Sequence, residues 1–346
     1  MIKKILLGVI ILGVICLAGW KLFFSKDDVS GKVKDVRKNL VAYHIEANME
    51  LSNNEETRNY FVTTDYKKDN DNDLFRVSLL DKNINQEQIM LKNPDGVFVL
   101  TPMLNQVYKF KGDWPLNNPK PYLYHSLIDV FNGEHEIKKV DDGFLVSAIS
   151  KYPNSPSWAK QEIKFTKDMK PVMVDILNSS NETVGKVTFT EVDMNPTFAD
   201  NYFDVEANMV KARENLSTEN VGLEFSDLPL LPTNAKYSAE LSEKTLATIN
   251  GQSVYILSYT GTDNFTIVQQ ISEKYDTMKI IEVSGDLIET ISGIAIKDGS
   301  KIKYVNNGVT YDIYSDSLNV DKIIDIVNGM ETISLAKLGC FEAYNE

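Results

Sequence analysis

The chain has 346 residues, a length that suits about two domains, each large enough to bury a core without disulfide support. Hydrophobic residues make up 43% and charged residues 25%, which excludes collagen, long disorder and a coiled-coil rod. The formal net charge of −13 sets the protein's own field against a general phosphate-binding surface, so no nucleic-acid partner is expected.

The chain opens with Lys3 and Lys4, runs through apolar or small residues from Ile5 to Trp20, and continues Lys21, Leu22, Phe23, Phe24. With a snorkelling Lys21 the stretch reaches the roughly 20 residues that a membrane helix needs. The lysines before it and Asp27 and Asp28 after it predict a cytoplasmic N-terminus with the bulk of the chain outside the membrane. An uncleaved anchor through Ile5 to Phe24 is the expected form, with signal cleavage or lipidation at Cys16 as alternatives. The triplet Leu17-Ala18-Gly19, of the kind that precedes an acylated cysteine, is followed here by Trp20.

Past the anchor, Val33, Val36 and Leu40 recur at helical spacing and predict a short helix over 28–39. From Val41 the period becomes two, and VAYHIEANMEL, RNYFVTTDY, LFRVSLL, EQIMLKN, GVFVLTP and NQVYKF read as six strands of an antiparallel meander. A proline-rich stretch with Trp114 follows, then one amphipathic helix over Tyr122 to Phe131 that stops at Asn132-Gly133 and can cap a sheet face. GFLVSAIS, AKQEIKFT, KPVMVDILN and ETVGKVTFTEV resume the strands, and NPTFADNYFDV closes a first domain over 27–210.

Residues 211–232 read as a linker to a second β-rich domain over 233–346, with an amphipathic helix at Val320 to Met330. From Val221 onward nine lysines and no arginine stand against 18 carboxylates, a composition shift that supports the division. The fold class expected is therefore mainly β (α+β), a membrane helix over 1–26 preceding two β-rich domains.

Chemistry is sparse. The carboxylate cluster Asp69, Asp71, Asp73 fails as a calcium loop because Leu74 and Leu80 occupy its glycine and bidentate-glutamate positions, and it reads as a solvated turn. Two cysteines, Cys16 and Cys340, and three scattered histidines, His44, His125 and His135, suggest neither metal site nor nucleophile. No nucleotide-loop, nucleophile-elbow or zinc-helix motif occurs, so no cofactor and no catalysis are expected, an enzyme with a site hidden from sequence being the remote alternative. The distinctive residues are aromatic and apolar. Phe98, Leu100, Tyr108, Trp114, Tyr122, Tyr124, Leu127 and Phe131 would line a concave sheet and its helical lid, either as plain core or as a cleft for an acyl chain or a partner segment.

The runs NPDGVFVLTPMLNQVYKFKGDWPLN, PYLYHSLIDVF, AKQEIKFTKDMKPVMVDIL and TFADNYFDVEANM resemble the sporulation lipoprotein YdcC family and germination lipoproteins of the GerS type, within the LolA/RseB-like superfamily. The resemblance covers about residues 30–210 and implies a curved antiparallel half-barrel with helices on its concave side, held outside the membrane of a spore-forming cell. It implies a role in sporulation or germination, in spore envelope or cortex, exercised by engaging a protein partner. LolA-type carriage of acyl chains is the alternative it offers. The family's lipobox cysteine falls where this chain has Trp20.

Overall fold

In a computed structural model the described residues are 29–53, 56–111, 114, 116, 119–150, 152, 158–216, 222–233, 237–290, 293–319, 322–323, 326–327 and 329–332. The anchor Ile5 to Phe24, Cys16 and Cys340 lie outside them. Among the described residues no helix is long and apolar enough to cross a membrane.

Residues 29–39 form helix α1. Six strands follow: β1 (Ala42–Asn53), β2 (Glu56–Asp69), β3 (Asn72–Asp81), β4 (Gln86–Asn93), β5 (Gly96–Thr101) and β6 (Gln106–Phe110). Each pairs antiparallel with the next, as the period-two alternation predicts, and the acidic stretch Asp69–Asp73 forms the β2–β3 turn with Asn70 at a φ of 53°. Helix α2 (Tyr124–Asp129) continues into a 3-10 turn at Val130–Asn132. Then come β7 (His135–Val140), β8 (Gly143–Ile149), β9 (Lys160–Thr166), β10 (Pro171–Leu177), β11 (Thr183–Asp193) and helix α3 (Val205–Glu214).

Strands β1 and β11 pair with each other and join the two meanders into one open, curved sheet. Its order ends in β7 on one side and reaches β6 on the other. The sheet has twelve strands because a strand from the second half of the chain, β16 (Lys279–Glu282), pairs parallel with β6.

The remaining strands are β12 (Leu230–Pro232), β13 (Ala239–Ile249), β14 (Gln252–Gly261), β15 (Phe265–Ile271), β17 (Asp286–Thr290), β18 (Gly293–Asp298), β19 (Lys301–Asn306), β20 (Val309–Tyr314) and β21 (Met330–Thr332). Seven of them form a second sheet in the order β13, β14, β15, β20, β19, β18, β17, and β12 pairs with β21. Asn250-Gly251 and Asn307-Gly308, all at positive φ, make the tight turns of its two Asn-Gly hairpins. Leu257, Ile267, Tyr304, Tyr311 and Ile313 fill its core, against which Ile323, Ile326 and Val327 pack.

Three elements depart from the sequence expectation. β7 has only Ile137 and Val140 as apolar signal among charged residues, too little to mark a strand. α3 extends through Glu214, so residues 211–214 of the expected linker are helical, with Lys211 and Arg213 in the last turn where they complement the helix dipole. And β16 leaves the second sheet to bind the first. Tyr275 and Lys279 donate backbone hydrogen bonds to the carbonyls of Leu104 and Asn105, and Val283 donates to that of Lys109. Ile281, Val283, Leu287 and Ile296 pack against the first core, so the two halves of the chain share apolar contacts as well as strand pairing.

Candidate functional site

The strand order dictates what covers the first sheet. β6 lies beside one edge and β7 forms the other, and the described residues between them, 114, 116 and 119–134, lie across one face. They carry α2, and α1 lies on the same face. Alternate residues of the strands meet them there: Tyr43, Ile45, Val62, Phe75, Val99, Tyr108 and Phe110 share one continuous core with Val29 and Val33 of α1 and with Trp114, Tyr122, Leu123, Tyr124, Leu127 and Ile128 of the crossing segment. Leu127 is 0% exposed, and the Tyr124 hydroxyl donates 3.0 Å to the Met169 carbonyl. Beneath α1 and α2 this inner face is filled by the protein's own side chains.

Of the residues singled out from sequence, Tyr108, Trp114, Tyr122, Tyr124 and Leu127 therefore meet in one core, and Phe131 packs at its margin, 6.0 Å ring to ring from Phe165. Phe98 and Leu100 are corrected. They stand on the opposite, outer face with Ile89, Leu91 and Val107, beneath Met209 and Ala212 of α3. Alternation puts Phe98 and Leu100 opposite Val97 and Val99, and because both faces of β5 are buried the whole strand reads apolar.

An open cleft of about 300 Å³ remains beside α2, where the crossing segment meets the ends of β8 and β9. Leu116, Leu123, Ile149 and Tyr152 give it apolar walls, and His125 and Asp129 give it polar ones. Leu116 is 46% and Ile149 63% exposed, unusual for large aliphatic side chains. Arg37 of α1 braces the lid, donating to the Ile128 carbonyl at 2.9 Å and to Asn132 Oδ1 at 2.7 Å.

His125 lies between this cleft and the core. Its ring sits 4.6 Å from that of Tyr66, 5.2 Å from Phe75 and 5.6 Å from Tyr43, and its Nδ1 is 3.3 Å from the Tyr43 hydroxyl. Burial among these rings pushes the imidazole down to about 4, outweighing the charge of Asp73, which acts the other way. The unfolded chain takes up this proton near pH 6.5 and the folded protein does not until about pH 4, so acidification between those values costs stability. The expected loss is about 1.4 kcal/mol per pH unit, reaching about 3 kcal/mol at pH 4. Urea titrations of the protein and of His125→Phe at a series of pH values check it: the difference between them should grow below pH 6.5, and parallel curves would contradict it.

The outer face holds a second polar feature that sequence spacing did not reveal. Register places His44, Asp65 and Arg76 side by side on β1, β2 and β3. Asp65 is fully buried and binds His44 Nδ1 at 2.6 Å, the Tyr202 hydroxyl at 2.9 Å and an Arg76 nitrogen at 3.4 Å. Arg76 Nε in turn donates 2.6 Å to Asn208 Oδ1 on α3. The hydrogen bond that the His44 ring donates to Asp65 is the main influence on the imidazole and raises its pKa. The network ties the segment leading into α3 to the middle of the sheet.

No family model matches the chain. The sporulation protein YdcC of Bacillus subtilis (strain 168) is 26% identical over 313 residues, which are 89% of this chain and 90% of that protein. The likeness to a YdcC-type sporulation protein is nearly full-length. The alignment takes in most of the second half of the chain as well as residues 30–210. Among solved structures, the MucA/MucB complex of Pseudomonas aeruginosa aligns over 87% of this chain and 96% of its own at 10% identity and a TM-score of 0.30. A LolA superfamily protein from Nitrosomonas europaea aligns over 51% and 96% at 10% identity and a TM-score of 0.28. The CwlD amidase complex with the GerS lipoprotein from Clostridioides difficile aligns over 48% and 94% at 16% identity and a TM-score of 0.21.

Proposed function

We infer that this is an extracytoplasmic binding protein of sporulation or germination, tethered to the membrane through Ile5 to Phe24, that engages a protein partner at the cleft beside α2. The filled inner face carries this reading. A carrier of acyl chains needs a void between lid and sheet, and here Tyr43, Tyr124, Leu127 and Phe165, none more than 1% exposed, occupy that volume. What stays open beside α2 is a cleft at the low end of the 300–1,000 Å³ range of ligand pockets, rimmed by exposed Leu116 and Ile149, while a more polar opening of about 330 Å³ lies apart from it where β6 meets β16. Such a rim suits an apolar segment of another protein. The near full-length likeness to YdcC supports the sporulation setting. The basic start and the apolar run after it support the anchor and the outward topology. The two sheets support a division into two domains, with the clamp at β16 holding them together.

The rim supplies the test, because Leu116 and Ile149 are exposed enough that Leu116→Glu and Ile149→Glu should change stability by no more than about 0.5 kcal/mol. A photo-crosslinker in place of Glu134, exposed on the cleft lining, should yield a discrete protein adduct in sporulating cells, and the Leu116→Glu/Ile149→Glu variant carrying the same probe should lose both the adduct and its ability to support sporulation. Normal sporulation by the double variant would refute the cleft as the working surface. Lipid bound to the purified protein, and lost in that variant, would favour the acyl-chain carrier.

A further inference from the structure

We propose that His44, Glu46 and Glu191 form a binding site for a divalent transition-metal ion of the zinc type, on the outer face where the two meanders join. His44 and Glu46 are two residues apart on β1 and so share a face, and Glu191 of β11 lies directly opposite Glu46 in register, beside a bulge. One donor atom from each of the three lies within 4.8 Å of the others. Like charges directly opposite across a sheet repel, and among the described residues no lysine or arginine pairs with either glutamate. A metal ion would compete with a proton for His44 Nε2, since the same carboxylates attract either. His44 Nε2 stands 3.6 Å from Glu46 Oε1, too far for a hydrogen bond. It is the separation of two ligands on one ion: metal bonds of about 2.0–2.2 Å at tetrahedral angles set their donors about 3.3–3.6 Å apart.

The second support lies outside the glutamate pair. His44 Nδ1 is committed to Asp65 at 2.6 Å, and Asp65 is 0% exposed and held in place by Tyr202 and Arg76. A buried carboxylate that accepts a hydrogen bond from Nδ1–H leaves Nε2 of the neutral ring facing outward with its lone pair, the outer-shell arrangement that accompanies metal-ligating histidines. An imidazole nitrogen with two carboxylate oxygens matches zinc more closely than calcium or magnesium, which take all-oxygen shells. Glu191 is exposed, which leaves a side open for water and for exchange with solution. The ion would clasp β1 to β11, the strand pairing that, among the described residues, joins the two meanders.

Thermal melts of the full chain with and without Zn²⁺, together with Co²⁺ absorption spectra, test the proposal. Zn²⁺ should raise the melting temperature of the wild type, and Co²⁺ should give the intense visible bands of a four- or five-coordinate site. Glu46→Gln/Glu191→Gln should weaken the affinity by more than the roughly 10–100-fold that loss of an outer-shell partner costs. In metal-free buffer the same variant should melt above the wild type, because the repulsion between the carboxylates is gone. Opposite signs in the two buffers are the signature of the site. No shift with Zn²⁺, a weak octahedral Co²⁺ spectrum, or equal shifts in wild type and variant would overturn it.

Discussion

Leu127→Asp should abolish folding of the twelve-stranded sheet. Leu127 is 0% exposed, on the buried side of α2, among Tyr124, Ile128 and the strand residues of the inner core. Truncation to alanine alone removes enough buried volume to cost about 2–5 kcal/mol. An aspartate adds a carboxylate with no cation within the core to meet it, so the total should exceed about 5 kcal/mol, comparable with the whole stability of an ordinary domain. Circular dichroism and urea melts check this directly, with Leu127→Ala as the graded control. The outcome also bears on lipid carriage. If Leu127→Asp leaves the fold intact while bound lipid disappears, the space under α2 is a ligand cavity, and the reading of a filled face is wrong.

The second large effect is expected at Asp65. Asp65→Ala removes a fully buried carboxylate that meets His44, Arg76 and Tyr202 at once. Arg76 is itself largely buried, and breaking such a pair on one side costs about 3–5 kcal/mol because the remaining charge is left uncompensated. Asp65→Leu with Arg76→Met removes both charges, and that double variant should recover a substantial part of the loss. The control separates a charge effect from simple loss of packing. If the double variant is as unstable as the sum of its parts, the pair is not coupled as the contacts indicate. Hydrogen exchange should locate the damage in Asp65→Ala, with amides near Tyr202 and along α3 opening first, since Tyr202 and Asn208 are the groups that the network holds.

How much of this was legible in the sequence depends on how local the cause is. The strands of the first meander announce themselves because one face of each is buried and the period of two survives in Tyr43, Ile45, Ala47, Met49 and Leu51. Helix α2 is equally plain from Leu123, Leu127 and Val130, although its regular part is shorter than the spacing suggests. Phe98 and Leu100 were misplaced for a physical reason: a strand buried on both faces carries no alternation to say which side faces which layer. Helix α3 escapes because its buried positions include Asn208, which serves hydrogen bonds to Tyr202 and Asp204 and not apolar packing. Asp65, Arg76 and Tyr202, or His125 with Tyr43, Tyr66 and Phe75, are assembled by strand register across tens of residues. No spacing rule along a single chain reports that.

The strand lent from the second half has a consequence for the order in which the protein can be made. Gln106, whose side chain donates to the Glu273 carbonyl beside β16, lies 167 residues before that partner. At about 5–20 residues per second, some 10–30 s pass between the synthesis of β6 and the arrival of the strand that covers it. During that interval the nascent sheet carries an uncovered edge at β6, with backbone groups ready to pair with any neighbouring chain. The Gln106 and Asn105 side chains, waiting for carbonyls of Glu273, Tyr275 and Asp276, then act as a docking register that favours the protein's own tail over a stranger's strand. A chain halted before Lys279 would keep the first core largely assembled and yet be the most aggregation-prone form of the protein.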